Sequence, residues 1–202
     1  MSGIAPAARP EMTRAAALSY LQAHGIGDQF GLIGRRGYYR DSMGKPGVND
    51  RGIYDDAIAL LTPSAFVTFN ANCDPSRTEE GMASLVPGVW EFEIGVHNRT
   101  KPANRRYKAL IQAAQFVVFR DGTEHFEKGT THQKYGRCLG GGCWVGWFGV
   151  NMHRGLLNST ASAACQTIVP DQWDAFIELV ESEMKRYGRK RIPYVLTERD
   201  EA

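Results

Sequence analysis

Helical periodicity is strongest near the C-terminal end of this chain. From Pro170, "PDQWDAFIELVESEMKRYG" sets Trp173, Phe176, Ile177, Val180, Met184 and Tyr187 on one stripe, the spacing of a helix lying on a sheet. Pro170 suits the first helical position, Asp171 sits near the positive end, and Gly188 closes the segment. A second helix is predicted over residues 10–24, "PEMTRAAALSYLQAH", with Pro10 near its start and Gly25 after its end.

Elsewhere the pattern is that of strands. "YDDAIALLTPSAFVTFNAN" predicts two strands around a "TPSA" turn, with Phe66, Thr68 and Asn70 alternating against Val67 and Phe69. "VPGVWEFEIGVH" predicts a turn at Pro87-Gly88, then a strand with Trp90, Phe92 and Ile94 on one face. "AAQFVVFRDGTEHFEKG" reads as a strand, a "DG" turn and a return strand. A strand is also expected to deliver His153, and "RIPYVLTE" to be the last one. The charged, glycine-rich "GRRGYYRDSMGKPGVNDRG" reads as a long surface loop. The expected fold class is mainly β with flanking helices (α+β).

Composition narrows the picture without directing it. The chain has 202 residues, 43% hydrophobic and 23% charged, with a net charge of +2. That is a globular composition, with neither a polyanion-binding surface nor an acidic tail, so no nucleic-acid partner is expected. No stretch is long and apolar enough to span a bilayer, and the N-terminus lacks the apolar core of a signal peptide. Synthesis in the cytoplasm without a Sec signal is therefore expected. The four cysteines, Cys73, Cys138, Cys143 and Cys165, are read as mostly reduced.

Candidate chemistry concentrates in "FGVNMHRGLLNSTASAACQTI", where His153 and Cys165 lie twelve residues apart. An imidazole can take a thiol's proton, and a helix beginning soon after the cysteine can lower its pKa. The small residues before Cys165 would let a peptide approach, and their N–H groups could form an oxyanion hole. Asn151, two residues before His153, should share its strand face. Asn70 and Asn72 in "FNANCDPSR" are candidates for binding a polar peptide, or else turn caps. His125, His132, Cys138 and Cys143 match no strong zinc signature, and no metal or cofactor is assigned. Trp144 and Trp147 suit either a cleft wall or core packing, and His24 and His97 are read as structural or surface residues.

"MHRG…SAACQTIVPDQWDAFIELV" resembles the active-site end of the L,D-transpeptidase (YkuD-like) catalytic domain, whose motif is Ser-His-Gly-Cys-x-Arg. "LVPGVWEFEI" is similar to that family's early "TP-x-G-x-[FY]" strand. The resemblance covers roughly residues 80–197, with segments also similar to those of uncharacterised phage and prophage proteins. It implies a β-sandwich with an amphipathic helix after the nucleophile, residues 81–202 forming the catalytic region and 1–80 packing on the same core.

By that resemblance Cys165 is the nucleophile and His153 the base, and Ser162 orients the histidine through its backbone carbonyl. Arg154, with Gly155 beside it, would contact substrate in place of the family's arginine, near whose place Gln166 stands as a further substrate-binding candidate. Ala163 and Ala164 replace the motif's His and Gly. The implied activity is a phage endolysin-like peptidoglycan hydrolase cleaving stem-peptide or cross-link bonds through a thioester. The implied alternatives are a cross-linking L,D-transpeptidase, a secreted antibacterial effector, or a non-catalytic wall-binding or phage structural protein. The implied partner is the peptidoglycan stem peptide, met in the wall or periplasm after release or delivery; the oligomeric state is left open.

Overall fold

In a computed structural model the described residues are 3–121 and 143–198. Among the described residues the chain is mainly β with two α-helices. In order the elements are α1 (Arg14–Ala23), β1 (Gly31–Arg36), β2 (Asp56–Leu61), β3 (Phe66–Asn72), β4 (Ala83–Leu85), β5 (Gly88–His97), β6 (Tyr107–Gln112), β7 (Phe116–Arg120), β8 (Cys143–Gly146), β9 (Met152–Arg154), β10 (Gln166–Ile168), α2 (Trp173–Arg186) and β11 (Arg191–Glu198). Eight strands close a barrel in the order β1-β11-β5-β6-β9-β10-β3-β2, and β4-β7-β8 form a second, three-stranded sheet. Two barrel pairs, β1 with β11 and β9 with β10, are parallel.

Strands β1 and β2 and residues 194–197 of β11 are buried on both faces, whereas β5 alternates between buried and more exposed positions. Ile58 and Leu60 of β2, Leu32 of β1 and Tyr194 and Leu196 of β11 belong to the main core. Their alternates, Ala59, Leu61, Ile33 and Val195, meet Ala17 and Leu21 of α1 in a smaller cluster. Phe116 and Val118 of β7 join the main core, so the three-stranded sheet shares it.

Helix α1 begins later than the proline suggests. Thr13 is its N-cap, its hydroxyl accepting from the Ala16 N–H at 3.1 Å, which satisfies one of the orphan donors of the first turn. Helix α2 likewise starts at Trp173 and not at Pro170, with Gln172 as N-cap. The Gln172 side chain instead accepts from the Asn70 N–H at 2.9 Å, tying the helix entry to β3. Five of the six predicted stripe residues are buried, while Tyr187 is exposed. Glu183 on the same helix is buried and accepts from Thr62 and Ser64 in the β2–β3 turn.

The predicted surface loop is partly strand. Gly34, Arg35 and Arg36 complete β1, with Arg35 over the Tyr20 ring and Arg36 only 2% exposed. Gly34 is required there, since an ideal Cβ would stand 2.0 Å from the Tyr194 hydroxyl oxygen. Gly34→Ala is expected to destabilise the fold by about 1–3 kcal/mol through overpacking. Urea denaturation measures it, and an unchanged midpoint would show that Tyr194 can yield.

Candidate active site

Short parallel strands build the site. In the β9–β10 pair Met152 lies opposite Gln166 and His153 opposite Thr167, which places Cys165 level with Asn151. Successive side chains alternate between faces. Met152 and Gln166 point into the barrel, both fully buried, and Asn151, His153 and Cys165 share the other face. A two-residue offset on neighbouring strands sets the Cys165 and His153 Cα atoms about 8 Å apart.

Cys165 Sγ accepts from the Asn151 N–H at 3.4 Å and donates toward the Gly149 carbonyl at 3.8 Å. No hydrogen bond joins it to an imidazole among the described residues. His153 is 4% exposed, and its Nδ1–H donates to the Arg154 carbonyl at 2.8 Å. A carbonyl only accepts, so this bond fixes the tautomer and leaves Nε2 as the free base. The Tyr107 hydroxyl is 3.4 Å from both His153 Nδ1 and the Arg154 carbonyl, and Arg154 stacks its guanidinium on the Tyr107 ring.

Burial sets the charge state. It lowers the His153 pKa to about 4, with His97 adding to the shift, and it pushes the Cys165 thiol up to about 11. The Asn151 N–H works against the thiol's rise without overcoming it. The expected depression of this thiol by the following helix is therefore not found. Helix α2 begins only at Trp173, with β10 intervening, and a helix terminus acts within about one turn. At neutral pH the pair rests as thiol and neutral imidazole.

The loop before Cys165 is held from outside. Ser76 anchors it: its N–H donates to the Ser162 carbonyl at 2.9 Å, and its hydroxyl meets the Ser162 N–H at 2.7 Å and Thr160 Oγ1 at 2.6 Å. The Ser162 hydroxyl donates to the Cys165 carbonyl at 2.7 Å. Thr160, Ser162 and Ala164 are buried, so the small residues fit one loop closely against another. The N–H groups of Ala163, Ala164 and Cys165 make no hydrogen bond among the described residues.

Several expected site residues serve other ends. The Ser162 carbonyl is taken by Ser76, and the Arg154 carbonyl holds His153 in its stead. Gln166 faces the barrel interior, where it accepts from the Tyr194 hydroxyl at 2.8 Å. Asn70 donates to the Ala8 carbonyl and accepts from Tyr39, clamping the N-terminal segment. Asn72 is fully buried and donates to the Asp74 carbonyl. Arg154 is exposed, with Gly155, Leu156, Leu157 and Pro170 lining the cleft beside it. Gly155 leaves no room for a side chain, because an ideal Cβ would stand 2.0 Å from the Tyr54 hydroxyl oxygen.

The sequence marks neither His97, expected to be structural or on the surface, nor Tyr107 as part of this cluster. The His97 ring stacks on His153 with centroids 4.1 Å apart, and its Nδ1 accepts from Asn151 Nδ2 at 3.0 Å. Gln112 was also missed. It accepts from the Phe148 and Gly149 N–H groups at 3.0 Å each and so shapes the approach to β9. The one available signal was the period of β5, which carries an imidazole at its C-terminal end.

Among cysteines, Cys73 and Cys165 are free, whereas Cys143 is disulfide-bonded and is neither the reduced thiol expected nor a metal ligand. His125, His132 and Cys138 lie outside the described residues. No group of three potential metal ligands occurs among the described residues, and no helix there is long and apolar enough to cross a membrane. Comparison with protein-family models, curated proteins and solved structures finds no match for this chain.

Proposed function

We propose that this protein is a cysteine-dependent peptidoglycan hydrolase of L,D-transpeptidase-like fold, cleaving stem-peptide or cross-link bonds of a cell wall reached by release or delivery. The observation carrying this reading is the β9–β10 register, which sets Cys165, Asn151 and His153 on one face. In the proposed reaction Cys165 attacks a peptide carbonyl while His153 Nε2 takes the thiol proton. The donors left free at Ala163, Ala164 and Cys165 then face the developing oxyanion. The amine leaves with the proton from His153, and water resolves the thioester.

Charge around the site suits an acidic peptide. The β5–β6 connection, "NRTKPANRR", carries Arg99, Lys101, Arg105 and Arg106 and no carboxylate. Arg99 and Arg106 line a groove with Ile94, Val96, Tyr107 and Lys108, the last already paired with Glu181, and the Tyr107 hydroxyl lies 3.4 Å from His153 Nδ1. Stem peptides carry free carboxylates that such a groove would hold.

The test is mass spectrometry of products from purified Gram-negative peptidoglycan. The unaltered chain is expected to release shortened stem peptides or open cross-links, and Cys165→Ala and His153→Gln to reduce this by at least about a thousandfold. Equal release by the Cys165→Ala variant would sink the mechanism. A second reading, a wall-binding protein without turnover, draws on the missing Cys165–imidazole hydrogen bond. It predicts sedimentation with the wall and no soluble products from either chain.

A further inference from the structure

We infer that His97 is a positioning residue for His153: the two stacked imidazoles form a unit that takes up at most one proton beyond its neutral form, with Asn151 linking the unit to the Cys165 sulfur. This rests on the reading of His153 as the base for Cys165.

The geometry assigns each proton. The Asn151 side chain donates to His97 Nδ1, so His97 is neutral with its proton on Nε2. His153 is neutral with its proton on Nδ1, given to the Arg154 carbonyl. The rings lie 22° from parallel at 4.1 Å, a separation at which two positive charges repel strongly. Asn151 reaches both partners, its side chain on His97 and its N–H on Cys165 Sγ. Of the site's residues only His153 and His97 titrate near neutrality unperturbed, and each lowers the other's capacity for charge.

Other ionisable groups close around the pair. Tyr107 of β6 lies 5.3 Å from the His97 ring, its hydroxyl held un-ionised by burial. Arg154 of β9 sits over the far side of Tyr107, and Cys165 precedes β10. Trp173 of α2 packs edge-on against Tyr107 and brings no charge. Arg99 and Arg106 share the groove with Tyr107. Glu181 of α2 is taken up by Lys108, the neighbour of Tyr107, and among the described residues no carboxylate hydrogen-bonds to either imidazole, so no direct partner offsets a second proton on the pair.

The consequence concerns proton transfer. When His153 takes the Cys165 proton it becomes an imidazolium facing a neutral aromatic ring, a favourable stack. Were His97 protonated first, its new Nδ1–H would oppose the Asn151 amide donor, and Asn151 would have to turn over. His97 therefore holds the base neutral and aligned until substrate triggers transfer.

The experiment is an NMR titration of the histidine ring carbons in the full chain between pH 3 and 8. In the unaltered protein the His97 and His153 curves are expected to share one midpoint, with one proton's amplitude divided between the two rings. In His97→Phe, which keeps a ring on His153 but no charge, the His153 midpoint is expected to move up by about one pH unit. Two independent one-proton curves, or an unmoved His153 midpoint in a folded His97→Phe, would overturn the proposal. If that variant does not fold, the unaltered chain's curves decide alone. No substrate is needed, so coupled histidines in a chain inert on the wall would refute the hydrolase reading while leaving the pairing intact.

Discussion

Alkylation of Cys165 by iodoacetamide is expected to accelerate about tenfold per pH unit from pH 7 to 10, close to a thousandfold in all. Thiolate is the reacting form, and a thiol held near 11 is almost wholly protonated through that range. A cysteine paired as thiolate with imidazolium would instead react at a near-constant rate from acid pH upward. The structure favours the first behaviour, because burial opposes charge on both partners and holds His153 near 4. Between those limits the site is neutral, and the proposed reaction therefore uses His153 as a general base during attack.

Peptide mapping by mass spectrometry isolates Cys165, since Cys73 is fully buried and Cys143 is disulfide-bonded. A plateau below pH 8 would refute the neutral pair. The same shift affects stability. Because the folded state keeps its thiol proton after the unfolded chain has lost it, this group's contribution is full below the unfolded pKa and falls as pH rises through 11.

Arg36→Met is expected to cost about 3–5 kcal/mol, the usual penalty for breaking a buried ion pair on one side. Arg36 pairs with Asp74 at 3.1 Å and Glu198 at 3.2 Å, and donates to the Cys73 and Leu85 carbonyls at 3.0 and 2.8 Å. It also faces Asp56, which accepts the Gly37 and Cys73 N–H groups. Met would fill the stem's volume but leave buried carboxylates and two carbonyls without their donor.

Those carboxylates can answer by taking protons. Burial already pushes Asp55 up to about 7, and burial with Asp74 and Asp55 nearby holds Asp56 well above the carboxylate range. A carboxyl with a raised folded pKa gives stability that is full below its unfolded value and lost as pH rises through the folded one. The deficit of Arg36→Met should therefore be smaller at pH 5 than at pH 8. Urea midpoints at both values measure it, and a deficit independent of pH would show that the carboxylates do not relieve the lost charge.

What was legible in the sequence lay within one or two turns of chain. The stripe of Trp173, Phe176, Ile177 and Val180 named α2, alternation named the β2–β3 hairpin and β5, and "RIPYVLTE" coincides with β11. The strand under His153 was legible as well. Strands β1, β4, β6, β8 and β10 were not. Two arginines end β1, and they sit buried only because Tyr20, Asp74 and Glu198 receive them from distant segments. β10 is three residues long, too short for any period to show.

The candidate site divides along the same line. Cys165 and His153 could be named from their types and spacing, since thiol and imidazole carry their chemistry wherever they stand. Which neighbours serve them is a matter of register. One residue's step decides that Cys165 faces Asn151 while Gln166 enters the barrel beside Tyr194, because side chains alternate with a period of two. His97 reaches His153 across 56 positions of sequence, and Ser76 reaches Ser162 across 86. Local patterning thus marked both helices, most of the longer strands and the candidate groups. Only closure of the barrel determined the partners, because such contacts depend on pairings between distant segments that leave no period in the chain.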